Sequence, residues 1–169
     1  MGKRSTKENK NIYQLAREDM ELTRDKASEL LSYISADRIE KIESEKSAPH
    51  PDEILAMGEC YKRPDLANYY CSHECPIGQK YVPEVELKDL SQIVLEMLST
   101  LNTIEKQRNR LIDITVDGEI TEDEVSDFVS IQDTLNKISL SVDSLQLWVQ
   151  NQIAQGNIDS NSILSTYNK

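Results

Sequence analysis

Apolar residues recur at helical spacing in four short segments of the first 61 residues. Steps of three and four place them on one face of each segment, as in an amphipathic helix. The predicted helices span residues 11–20, 22–31, 36–43 and 51–61, and their apolar positions are Ile12, Leu15, Ala16, Ala27, Leu30, Leu31, Ile39, Ile42, Ile54, Leu55, Met57 and Tyr61. Thr23 and Ser35 are suited to cap the second and third helices, and Pro51 suits the first turn of the fourth. We therefore expect a small helical domain with a helix-turn-helix at its centre.

Two longer runs of apolar residues follow from Glu86 onward and predict a pair of long helices. The first run is Leu87, Leu90, Val94, Met97, Leu101, Ile104 and Leu111, and the second is Phe128, Leu135, Ile138, Val142, Leu145 and Val149. Both alternate steps of three and four, the pattern of a coiled-coil seam. Asp117-Gly118 is expected to end the first helix, and Thr121 with Glu124 forms a capping box for the second. Two long helices with a short connection form an antiparallel hairpin.

Over residues 11–66 the chain resembles the phage-repressor (Xre-like) helix-turn-helix family. The matching residues are Arg17-Glu18 and Leu22-Thr23 at the end of the first helix and the start of the second, Ile39, Ile42-Glu43 and Pro49 at the end of the recognition helix and the entry to the fourth, and Ile54-Leu55 and Met57 within the fourth. The family usually has glycine before the Leu-Thr pair, in the turn, and two residues after the Glu. This chain has Glu21, Ser32-Tyr33 and Glu45 there, and its interval from Thr23 to Ser35 is one residue longer.

The resemblance implies that residues 36–43 read duplex DNA and that the protein regulates transcription. The implied contact residues are Thr23, Arg24, Ser35, Ala36, Asp37, Arg38, Glu40, Lys41 and Lys46. With Ile39 and Ile42 buried, Arg38 and Lys41 are expected to point outward, toward guanine edges or phosphates. Asp37 and Glu40 can accept from cytosine N4 only, and they repel the DNA backbone elsewhere. In the family, the residues at the positions of Arg17 and Glu43 pair and hold the first helix to the third, and we expect that pair here.

The distribution of charge favours an alternative, in which this domain contacts protein rather than DNA. Residues 1–70 carry 12 basic and 14 acidic side chains, whereas residues 71–169 carry 7 and 16. The acidic second half repels nucleic acid, so any contact with DNA must come from the first module. The hairpin instead offers an acidic surface to a possible protein partner. Residues 1–10, with four basic side chains, form either an arm that reaches the DNA backbone or a solvated tail.

Residues outside the predicted seam suggest that the hairpin forms a homodimer. Ile93, Leu98, Ile131 and Trp148 flank the seam, and together they are too apolar to face water. A second chain would cover them in a four-helix bundle, and it would also place two first modules on DNA half-sites. The alternative is a purely intramolecular hairpin covered by the first 70 residues.

Two groups of residues have the composition of metal sites. Cys60, Cys71, His73 and Cys75 could hold zinc, although the spacing is not that of a standard finger; the other readings are a redox pair and partly buried, inert cysteines. The connection of the hairpin, 113–124, carries oxygen side chains at several positions of an EF-hand loop, but a glycine and a capping box explain most of them without calcium. We therefore predict no metal and no cofactor.

Composition supports an all-α, non-enzymatic protein. The 169 residues include only five glycines, five prolines and one phenylalanine, which argues against a sheet-rich fold. His50 and His73 lie in predicted loops without a nucleophile beside them, so no catalytic set is predicted. No apolar run approaches the roughly 20 residues of a membrane span, and we expect a cytoplasmic protein. The predicted organisation is a tail at 1–10, the helix-turn-helix domain at 11–70, a linker at 71–85, extended over residues 77–85, the hairpin at 86–155 and a second tail at 156–169.

Overall fold

The computed structural model describes residues 10–159, and the regular structure in that range is helical. The helices are α1 (Ile12–Asp19), α2 (Arg24–Leu31), α3 (Ala36–Glu43), α4 (Pro51–Cys60), α5 (Asp65–His73), α6 (Gly78–Tyr81), α7 (Leu90–Thr115) and α8 (Val125–Ala154). The prediction of an all-α chain that ends in a long helical hairpin is confirmed. The predicted tail at 1–10 lies outside the described residues except for Lys10, and so does most of the tail at 156–169.

The chain divides into two compact units. The first comprises Met1–Glu84 together with Val149–Lys169, and the second is Val85–Trp148. The last turns of α8 therefore belong to the first unit, where Gln155 donates to the backbone oxygen of Lys62 at 3.4 Å. No helix within residues 10–159 is both long enough and apolar enough to cross a membrane.

The first unit packs α1 to α5 around one apolar core. Its buried members are Tyr13, Ala16, Ala27, Leu31, Ile34, Ile39, Ile42, Ile54, Met57, Tyr61 and Leu66. Ile39 and Ile42 are 0% and 2% exposed, as their spacing predicts. Leu30 and Leu55, which were also assigned to apolar faces, lie 62% and 60% exposed. In α2 the row that faces the core is Ala27 and Leu31, four residues apart, and Leu30 stands about 100° away from it around the helix.

The segment that follows α5 is more helical than its sequence indicates. Residues 77–85 were expected to be extended, but they begin with the single turn α6, which packs on α5. A Cβ atom on Gly78 would lie 2.0 Å from the carbonyl oxygen of Cys71, so only glycine permits this approach. The extended conformation applies to the residues after Tyr81.

In the second unit α7 and α8 run antiparallel. The amide of Gln107 donates to the Ser130 hydroxyl at 3.2 Å, and the Arg110 guanidinium donates to Asp127 at 2.6 Å. Each step forward along α7 is therefore matched by one step back along α8. The connection follows the predicted cap, because the Glu124 carboxylate accepts from the backbone amide of Thr121 at 3.2 Å and Gly118 has φ +76°.

The seam between α7 and α8 differs from the predicted one. Leu90, Leu101, Leu135 and Val142 were assigned to it but are 39–45% exposed. The buried positions on α7 and α8 are Ile93, Ile114, Ile131 and Leu147 together with the small polar residues Thr134, Ser141 and Ser144. Each of these three hydroxyls donates to the carbonyl oxygen four residues earlier, at 2.8–3.0 Å, so burial leaves none of them unpaired. A search for large apolar residues passes over such positions, and this is why the predicted seam is wrong.

Candidate nucleic-acid interface

The second and third helices form a compact pair whose starts are fixed by side-chain caps. The hydroxyl of Thr23 accepts from the backbone amide of Lys26 at 3.2 Å, and that of Ser35 accepts from Arg38 at 3.1 Å. Both caps are the ones that the sequence predicts. They set the first turns of α2 and α3, and the residues between them, 32–35, connect the two helices.

Backbone conformation at the ends of α1 and α3 follows the Schellman pattern. At the end of α1 the amide of Leu22 bonds to the carbonyl oxygen of Arg17 at 3.3 Å, and Glu21 has φ +55°. At the end of α3 the amide of Lys46 bonds to the carbonyl oxygen of Lys41 at 2.9 Å, and Glu45 has φ +61°. This left-handed conformation favours glycine, and it stops each helix sharply so that the next one can fold back.

The turn between α2 and α3 is also left-handed. Ser32 has φ +60° and ψ −47°, and the amide of Tyr33 bonds to the carbonyl oxygen of Leu31 at 2.6 Å. This is a γ-turn, a tight and strained way to reverse the chain. It is followed by Ile34, which is 1% exposed and anchors the turn in the core.

A buried carboxylate joins the first three helices. Glu43 on α3 is 1% exposed and receives the Arg17 guanidinium from α1 at 2.5 and 3.0 Å, which confirms the predicted pair. Burial is the largest single influence on the pKa of Arg17 and lowers it, but the hydrogen bonds to Glu43 together with the Coulombic attraction of Glu43 and Glu18 raise the pKa above its ordinary value. Arg24, at the start of α2, donates to the same carboxylate at 2.8 Å. Two arginines therefore share one buried acid, and neither is free to leave at low cost.

Arg38 does not stand free on the outer surface, and that expectation is wrong. Its guanidinium donates to both oxygens of Glu53 on α4, at 2.7 and 2.6 Å, and also to the Ser47 hydroxyl and the Ala48 carbonyl oxygen. The hydrogen bonds to Arg38 lower the pKa of Glu53. None of these three partners could be identified from the local sequence pattern. Ser47 and Ala48 lie in the loop that follows α3, and Glu53 lies on α4. The one signal in the sequence was the position of Glu53, three residues after His50. The Glu53 carboxylate also accepts a hydrogen bond from the backbone amide of His50, at 2.7 Å.

The outward face of α3 carries two weaker ion pairs. Lys41 lies 2.7 Å from Asp37, one turn earlier, and their side chains are 48% and 73% exposed. Lys46, just beyond the helix, lies 2.9 Å from Glu40. Such exposed pairs contribute at most about 1 kcal/mol, so a phosphate can replace the carboxylate at little cost. Ala36 lies half-buried at the first turn between these pairs and the core.

The candidate metal ligands are not brought together. Within residues 10–159 no group of three or more histidine, cysteine, aspartate or glutamate side chains is arranged to hold a metal ion. Cys60, Cys71 and Cys75 are partly buried thiols. The ring of His73 instead stacks on Tyr69 with 4.3 Å between centroids. In the proposed calcium loop, α7 continues to Thr115, which places the first two oxygen ligands on a helix rather than in the loop.

The four residues expected at a dimer interface fall into two classes. Ile93 and Ile131 are 1% and 2% exposed, so they belong to the interior of the hairpin, and their assignment to its outer flanks is wrong. Leu98 is 53% exposed, as predicted. Trp148, at the end of the second unit, is half-buried.

Comparison with known proteins gave no match to a family model, a curated protein or a solved structure.

Proposed function

We propose that this protein is a dimeric, cytoplasmic DNA-binding regulator of transcription, without enzymatic activity, in which α3 enters the major groove. This retains the interpretation that the phage-repressor resemblance implies. It also restricts the residues that contact DNA to those that the first unit leaves available.

The observation that carries the proposal is the backbone at Glu21, Ser32 and Glu45. All three are left-handed. They fall at the three places where the phage-repressor family usually has glycine, the residue that adopts this conformation most readily. The chain therefore makes the family's three turns without the family's residues, which supports a common helix-turn-helix architecture over residues 11–66.

The ion pairs indicate which side chains are available to DNA. Lys41 and Lys46 can exchange exposed carboxylates for phosphates, whereas Arg24 and Arg38 are held by buried acids. Thr23 and Ser35 lie at the N-termini of α2 and α3, where backbone amides attract phosphate oxygens. In this proposal Asp37 and Glu40 accept from cytosine amino groups, and Arg38 only positions α3.

The proposal is tested by the salt dependence of binding to a labelled mixed-sequence duplex, measured by fluorescence anisotropy. Affinity should fall linearly on a log–log plot against salt, with a slope of about −0.9 per phosphate contacted. Lys41→Ala should make the slope shallower by about one unit per chain.

A matched control is available in the second unit. Lys137 forms the same exposed pair with an aspartate four residues earlier, at 2.6 Å, so Lys137→Ala removes an equivalent ion pair away from α3. Its slope should equal that of the unaltered protein. Equal slopes for both variants would mean that α3 does not contact phosphate.

A second candidate function is a protein-interaction module that does not bind DNA. It is favoured by one observation, that Arg24, Arg38, Lys41 and Lys46 each already have a carboxylate partner within the first unit. In that case the folded protein should show no anisotropy change with duplex DNA even at low salt.

A further inference from the structure

One side of the α7–α8 hairpin is an apolar face, formed by Leu90, Val94, Leu98, Leu101, Leu135 and Val142. These side chains are 39–53% exposed. The four on α7 follow steps of four and three, which keep them on one row, and the two on α8 are two turns apart. The antiparallel register places Leu101 level with Leu135 and Val94 level with Val142, so the two rows are neighbours.

The other side of the hairpin carries charged and polar side chains among its leucines. There a groove of about 470 Å³ lies between the helices and is lined by Leu95, Glu96, Ser99, Thr100, Lys137, Leu140, Ser141 and Ser144. Leu98 is two residues beyond Glu96, so it lies about 200° around α7 from it, on the other side. The two sides of the hairpin therefore differ in charge, because the groove side carries Glu96 and Lys137.

The apolar face is also free of charge. The positions that make up its two rows, 90, 94, 98, 101, 135, 139, 142 and 146, hold leucine, valine, serine and glutamine only, in a chain of which 29% is charged. A second copy of this hairpin can approach along this face without like-charge repulsion between these rows, because they carry no charged side chain.

We infer that the apolar face is the surface on which two copies of this chain associate, as a four-helix bundle. The six side chains expose on the order of 500 Å² of apolar surface, near the upper limit for a monomer. Pairing two copies removes roughly twice that area from water, which reaches the approximately 1,000 Å² that a specific interface needs. A two-fold axis makes the same residues serve on both chains, so one face is sufficient.

The role of this dimer in DNA binding rests on the proposed function, in which two joined chains present two α3 helices to one duplex. It replaces the interface expected from sequence, since Ile93 and Ile131 are internal to the hairpin and only Leu98 is shared between the two sets.

Sedimentation equilibrium at micromolar concentration, without DNA, tests the inference. The unaltered protein should have twice the 19.3 kDa mass of the chain. Leu98→Glu should raise the dimer dissociation constant by about 100-fold or more, because each interface would bury two unpaired carboxylates. Leu95→Glu is the matched control. Leu95 is three residues away on the same helix and is 69% exposed, but it lines the groove that also holds Glu96 and Lys137, so this variant should remain dimeric.

A second pair of variants guards against a failure of Leu98→Glu to fold. Val142→Glu lies on the apolar face of α8, whereas Val129→Glu lies on the outer side of the same helix, where the side chain is 54% exposed. Only the first should dissociate, and circular dichroism should show native helicity in both. A monomeric unaltered protein, or equal dissociation of face and control variants, would overturn the inference. A dimer that binds no DNA would refute the proposed function and leave the interface standing.

Discussion

Two glutamates, Glu43 and Glu53, connect the short helices of the first unit. Each carboxylate accepts two hydrogen bonds from an arginine on another element, Glu43 from Arg17 and Glu53 from Arg38. Short helices bury little apolar area, so these contacts fix their relative positions. Such a pair costs little when both partners are present, but removal of one leaves the other charge buried and unpaired.

Arg38→Ala should therefore lower the free energy of unfolding by about 2 kcal/mol, because it leaves the buried Glu53 carboxylate without its guanidinium. Lys41→Ala, on the same helix, removes only an exposed pair and should change stability by less than about 0.5 kcal/mol. Urea unfolding of the two variants measures the difference. Equal stabilities would mean that Arg38 is solvated and available to DNA after all.

Among the helices, sequence predicted those features that depend on neighbouring residues. Thr23 and Ser35 cap helices where expected, since a cap and its target amide are two or three residues apart. Of the predicted Thr121–Glu124 box the structure shows the bond from the Thr121 amide to the Glu124 carboxylate, whereas the Thr121 hydroxyl donates to that carboxylate and α8 begins only at Val125. The partner of Arg38 could not be predicted, because Glu53 is 15 residues away and is brought close only by the packing of α4. The hairpin seam was missed for another reason, that buried serine and threonine satisfy their own hydroxyls on the helix and so replace apolar residues.

The left-handed helix ends give a prediction about stability. Glu45→Gly should raise the free energy of unfolding by about 0.5–1 kcal/mol, because relief of the left-handed strain exceeds the entropy that glycine loses on folding. Glu45→Ala keeps the strained conformation and should change stability by less than about 0.5 kcal/mol. Thermal or urea unfolding distinguishes them. Destabilisation by glycine would contradict the correspondence with the family's glycine positions.

The whole molecule combines a nearly neutral first unit with an acidic second one. Among the candidate contact residues of the first unit, Lys41 and Lys46 form exposed ion pairs in which a phosphate can replace the carboxylate. The second unit offers an uncharged apolar face for a second copy. In this account the hairpin supplies the pairing of chains and the α2–α3 pair supplies the reading of DNA, so that neither unit performs the proposed function alone.

Selection from a pool of randomised duplexes by the full-length protein at low salt tests this account most directly. A dimer that reads DNA through two copies of α3 should enrich an approximately palindromic sequence, with half-sites centred about one helical turn, or about 10 base pairs, apart. Protein that is folded and dimeric, yet retains no duplex or retains duplexes without a shared sequence, would contradict it.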